Sequence, residues 1–72
     1  DLILGPFARA ALPGMGADEL DLYEILIEQN DHDLYAWIAG RPSRPGTGPA
    51  ALHPLLDRIA AFARERASQS RG

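Results

Sequence analysis

The chain of 72 residues carries a net charge of −3 and no cysteine, which leaves room for one domain with a modest core and marginal stability and excludes a disulfide framework or a thiolate site. Its longest uninterrupted apolar runs, residues 34–39 and 59–63, are far short of the roughly 20 residues a membrane-spanning helix needs, so the sequence predicts a soluble chain without membrane insertion. Charge is split: residues 1–40 hold eight acidic side chains against Arg9 alone, and residues 41–72 hold six arginines against Asp57 and Glu65, a distribution that argues against nucleic acid as ligand and for a protein partner with a basic surface.

The chain reads as all-α, a small bundle of about four helices, with a single domain over residues 1–66 and a frayed tail over 67–72. The first segment covers residues 1–12 with Ile3, Phe7 and Ala10 on one face. Gly5-Pro6 predicts a kink or a helix start, because proline lacks a backbone donor and crowds the preceding turn. Pro13-Gly14-Met15-Gly16 makes a turn, with Met15 positioned to plug the core ahead of a Gly16 cap.

The second helix, residues 17–29, is the clearest amphipathic element. Leu20, Leu22, Tyr23, Leu26 and Ile27 are assigned to its buried side, and Asp21, Glu24 and Glu28 recur at i, i+3 and i+7 on the other. That acidic stripe has no basic partner within its helix, and a solvated face is its simplest account.

A short third helix follows over residues 31–40. Asp31 is read as its N-cap, with Asp33 adding negative charge where the helix dipole is positive. Leu34, Trp37 and Ile38 at i, i+3 and i+4 form its buried stripe, and Gly40 occupies the place where a glycine takes a left-handed cap conformation. Residues 41–49, rich in proline and glycine, read as a loop. The last helix begins near residues 50–54, with Pro54 in its first turn, and runs to about residue 66 on a stripe of Leu52, Leu55, Leu56, Ile59, Phe62 and Ala63. The expected core is Ile3, Phe7, Leu20, Tyr23, Ile27, Leu34, Trp37, Leu55, Ile59 and Phe62.

No catalytic constellation is present in the sequence. His32 and His53 read as surface or capping residues, and Ser43, Ser68 and Ser70 have no histidine at local motif spacing. Asn30-Asp31-His32-Asp33 resembles the start of a calcium loop. It fails at Tyr35, where an oxygen ligand is due, at Ala36, where glycine is required, and at Pro42, where an acid must close the loop.

Read together, Asp1-Leu2-Ile3-Leu4-Gly5-Pro6-Phe7 and Glu28-Gln29-Asn30-Asp31-His32-Asp33-Leu34-Tyr35-Ala36-Trp37-Ile38 resemble the succinate dehydrogenase assembly factor family, the FAD assembly or flavinylation factors. The family signature is Arg-Gly-x-x-Glu-x-Asp, of which Asp1 matches the last residue. The resemblance implies that the rest of the signature, and the first of the family's five helices, lie upstream of a chain that reads as a fragment. It further implies a chaperone-like assembly factor, not an enzyme, that binds the flavoprotein subunit of succinate dehydrogenase or fumarate reductase and promotes covalent attachment of FAD. The factor needs no cofactor of its own, since the FAD belongs to the partner. Its implied compartment is the bacterial cytoplasm or, in a eukaryote, the mitochondrial matrix.

On this resemblance the partner-binding candidates are Asp1, Pro6 and Phe7, the acidic stripe Asp21, Glu24 and Glu28, and the acidic segment Asp31 and Asp33, with no metal site. The alternative is a generic acidic helical protein-interaction domain. A carrier domain holding a phosphopantetheine arm is disfavoured, because Asp18-Glu19-Leu20 and Asp33-Leu34 lack the serine it needs.

Overall fold

The computed structural model describes residues 4–41, 43–44 and 46–71. Four α-helices follow one another: α1 Leu4–Ala11, α2 Ala17–Ile27, α3 Asp31–Gly40 and α4 His53–Arg71, with single 3-10 turns at Leu12–Gly14 and Ala50–Leu52. Among the described residues there is no strand. Pro6 sits in the first turn of α1, where its missing N–H leaves no helical hydrogen bond unmade, so Gly5-Pro6 marks a helix start and not a kink. Pro13 then tightens the chain into a 3-10 turn that ends on the extended Met15, and Gly16 caps α2 from an extended conformation.

Helix α4 is the element around which the others assemble, with α1 and α3 packed on it and α2 against the Ala50–Leu52 turn. Leu52, Leu55, Leu56, Ile59 and Ala60 meet Leu4 and Phe7 of α1, Met15 of the turn, Leu26 of α2, and Leu34 and Ile38 of α3 in one buried cluster. Each such leucine or isoleucine removed from water contributes roughly 1.5–3 kcal/mol. Phe7 and Phe62 meet edge to face with centroids 5.6 Å apart and planes at 80°, the geometry that ring quadrupoles favour.

Several expectations need correction. Leu20 and Ile27, assigned to the core, are 39% and 51% exposed; α2 carries six large apolar side chains on all its sides, and only Leu26 is fully sunk, with Leu22 and Tyr23 partly so. Trp37 and Phe62 pack against the core as half-buried residues, and Ile3 lies outside the described residues. The α3 cap is Asn30, not Asp31: its backbone is extended, and its Oδ1 accepts from the N–H groups of His32 at 2.8 Å and Asp33 at 3.3 Å. Asp31 and Asp33 occupy the first turn, where their charge still complements the dipole.

Gly40 ends α3 without turning left-handed; the positive φ belongs to Gly48, at +87°. There the chain passes so close to the core that a Cβ would stand 2.9 Å from Leu56 Cδ1 and 3.1 Å from Trp37 Cδ2. Glycine is required at residue 48 for both conformation and space. Helix α4 also continues to Arg71 instead of stopping near residue 66, since no proline or glycine interrupts residues 55–71.

Candidate functional site

Helical spacing fixes what α2 shows to solvent. Residues at i, i+4 and i+7 lie along one ridge of a helix, which places Leu20, Glu24 and Ile27 on one ridge and Asp21, Ile25 and Glu28 on the next. All six are exposed, with Ile25 at 47%. Acidic and apolar side chains therefore alternate along both ridges. The opposite side of α2 is committed to the fold through Leu22, Tyr23 and Leu26, and through Glu19, which accepts a charged hydrogen bond from Arg58 of α4.

Asp31 and Asp33 extend the acidic run into the first turn of α3, both exposed. Among the described residues neither they nor Asp21, Glu24 and Glu28 form an ion pair. The remaining candidates are placed differently. Phe7 is 3% exposed and spends its ring on the core, Pro6 is half-buried at the start of α1, and Asp1 lies outside the described residues. The structure thus brings Asp21, Glu24 and Glu28 onto one face, leaves Asp31 and Asp33 exposed at the start of α3, and buries Phe7 in the core.

The residue that sequence reasoning missed is Arg41, read as a loop charge. Its side chain is 1% exposed and closes the loop over the core, with four hydrogen bonds to described residues. Nε donates to Asp57 Oδ1 at 2.6 Å, Nη1 to the Trp37 carbonyl at 3.1 Å and Thr47 Oγ1 at 3.0 Å, and Nη2 to the Thr47 carbonyl at 2.8 Å. The Thr47 hydroxyl in turn donates to the Arg44 carbonyl at 3.1 Å. From the far side His53 Nε2–H donates to the Gly48 carbonyl at 2.8 Å, which fixes its tautomer because a carbonyl oxygen only accepts. No local signal marks this clasp, since Arg41 and Asp57 are 16 residues apart.

The chemistry available is that of recognition. Among the described residues no group of three or more His, Cys, Asp or Glu side chains could hold a metal ion. Arg41, buried, and His53, half-buried, are spent on the loop. A shallow open groove between α1 and α4, lined by Phe7, Ala10, Arg58, Phe62 and Glu65, offers no convergent set of polar groups. Among the described residues no helix is long and apolar enough to cross a membrane.

Comparison with known proteins gives consistent results. The model of the family described as "Flavinator of succinate dehydrogenase" matches residues 1–63. Mitochondrial succinate dehydrogenase assembly factor 2 of Cryptococcus neoformans is 32% identical over 59 residues, covering 82% of this chain and 33% of that protein. The protein of the same name from Debaryomyces hansenii is 43% identical over 37 residues, covering 51% of this chain and 26% of its own length. A protein named FAD assembly factor SdhE from Vibrio cholerae is 31% identical over 61 residues, covering 85% of this chain and 67% of that protein. The chain thus spans about a third or less of the fungal relatives and two thirds of the bacterial one. No solved structure matches.

Proposed function

The chain belongs to the flavinator of succinate dehydrogenase family, and from that membership we propose that it binds the flavoprotein subunit of succinate dehydrogenase or fumarate reductase and promotes covalent attachment of FAD to it. The family is one of assembly factors, chaperone-type proteins and not enzymes. The match over residues 1–63 carries the reading.

Bond formation is the flavoprotein's own chemistry, between its histidine and the flavin, and the FAD is the partner's. The factor contributes a temporary clamp on the unassembled subunit, holding nucleophile and flavin in line. Fixing reacting groups in a productive geometry removes several kcal/mol of a barrier, by the reasoning of effective molarity, without any group donated by the clamp. A protein whose exposed features are helix faces suits that role. It acts where the flavoprotein is assembled, the cytoplasm of a bacterium or the mitochondrial matrix of a eukaryote.

The test is to produce the flavoprotein with and without the full-length protein, in cells lacking an assembly factor of their own, and to read covalent flavin by fluorescence of the denatured subunit in a gel. Fluorescence that rises with the factor is expected. Equal fluorescence in both, with the factor demonstrably produced, would refute the reading and leave a generic interaction domain.

A further inference from the structure

We infer that the outward face of α2 is a docking surface for a protein patch in which lysine or arginine side chains surround apolar ones. This rests on the flavoprotein reading and specifies which face of the chain the flavoprotein meets. Isolated exposed apolar residues are ordinary on a protein surface. Three on one helix of 11 residues, alternating with acids along two adjacent ridges, are not isolated. Leu20, Ile25 and Ile27 each leave about two fifths or more of their area in water, area that a partner can cover.

The charge on the same face names the partner's sign. Asp21 and Glu24 are three residues apart and Glu24 and Glu28 four, the spacings at which like charges on a helix repel. Among the described residues no cation offsets them, although the chain has arginines on α4 and uses one, Arg58, to hold Glu19 on the other side of α2. A basic partner relieves that repulsion. The two components divide the work: acids steer encounter, and apolar side chains, buried on contact, set how long the complex lasts.

The experiment immobilises the purified, FAD-loaded flavoprotein subunit and measures binding kinetics of the full-length protein at about 0.05 M and about 0.5 M salt. Two triple variants are compared with the parent, D21K/E24K/E28K and L20Q/I25Q/I27Q; all six side chains are exposed, so both should keep the parent's helical spectrum and melting temperature. The charge variant should associate about tenfold more slowly at low salt, with the deficit shrinking at high salt. The glutamine variant should dissociate about tenfold faster at both salts. A parent that does not bind overturns the flavoprotein reading and the surface with it. A parent that binds, with both variants matching it, overturns the surface alone. So does a loss confined to self-association in sedimentation, which makes the face a contact between copies of this chain.

Discussion

Arg41 and Asp57 form an ion pair of unequal burial: Nε and Oδ1 are 2.6 Å apart, yet the arginine side chain is 1% exposed and the aspartate 58%. Among the described residues the guanidinium keeps three further hydrogen bonds, two of them to backbone carbonyls. Removing the acid therefore leaves the cation partly satisfied, whereas removing the arginine strands enclosed acceptors. Asp57→Ala should cost about 1–3 kcal/mol, below the range for a fully buried pair, and Arg41→Met more than that. Thermal melts check the order, since 1 kcal/mol shifts the midpoint of a domain this size by about 4–8 °C. A larger loss from Asp57→Ala would mean that the pair, and not the loop closure, holds the clasp.

Gly48→Ala should be among the costliest single-methyl changes in the chain. The new Cβ would combine a left-handed backbone with close approach to Leu56 and Trp37, and about 2–5 kcal/mol is expected from strain and overpacking together. Gly46→Ala is the control, because its Cβ would meet nothing within 4 Å and its φ is not positive. That variant should melt within about 0.5 kcal/mol of the parent or slightly above it. Trp37, the chain's only tryptophan, should report the first change by a red-shifted emission.

At the start of α3 the two neighbouring residues should behave differently. Asn30→Ala removes the acceptor for two first-turn N–H groups and should cost about 0.5–2 kcal/mol. Asp31→Ala removes only a favourable charge near the dipole and should cost at most about 0.3–1 kcal/mol, declining with salt. Urea titrations of both variants separate these cases. Equal losses would return the cap to Asp31.

Adjacent residues of α2 test its orientation. Leu26 is fully buried and Ile27 half exposed, so Leu26→Ala should cost about 2.7–5 kcal/mol through lost burial and a cavity. Ile27→Ala should stay near the ±0.5 kcal/mol typical of surface changes. The inverse result would rotate α2 by about 100° on its axis, the angle between successive residues.

Much of this architecture was legible because local rules decided it. Proline in the first turns of α1 and α4, the glycine-bounded turn before α2 and the leucine stripe of α4 each follow from residues close in sequence. Helix α2 resisted because apolar side chains surround it; periodicity grouped Leu20, Leu22, Tyr23, Leu26 and Ile27 on one side, and the expected core took Leu20 and Ile27 while passing over Leu26, the one that is fully buried. The acidic stripe was read correctly as outward, while the apolar members of that face were hidden by the assumption that large apolar side chains belong inside. Asn30 was overlooked because Asp31 has the same capping chemistry one residue later, and the difference lies in where the backbone turns extended. Arg41 and Gly48 depend on tertiary approach, which no window of neighbouring residues contains.

The shallow anchorage of α2 has a consequence for its motions. Helix α4 and its preceding turn supply five buried side chains, whereas α2 supplies Leu26 alone, together with a half-exposed ion pair from Glu19 of the kind worth at most about 1 kcal/mol. Opening free energies follow such differences. Backbone amides of α2 should therefore exchange with deuterated solvent well before those of residues 55–60, in a partial opening that leaves α3 and α4 clasped by Arg41. A helix that detaches by itself can also settle onto a partner by small adjustments while the rest of the chain stays folded.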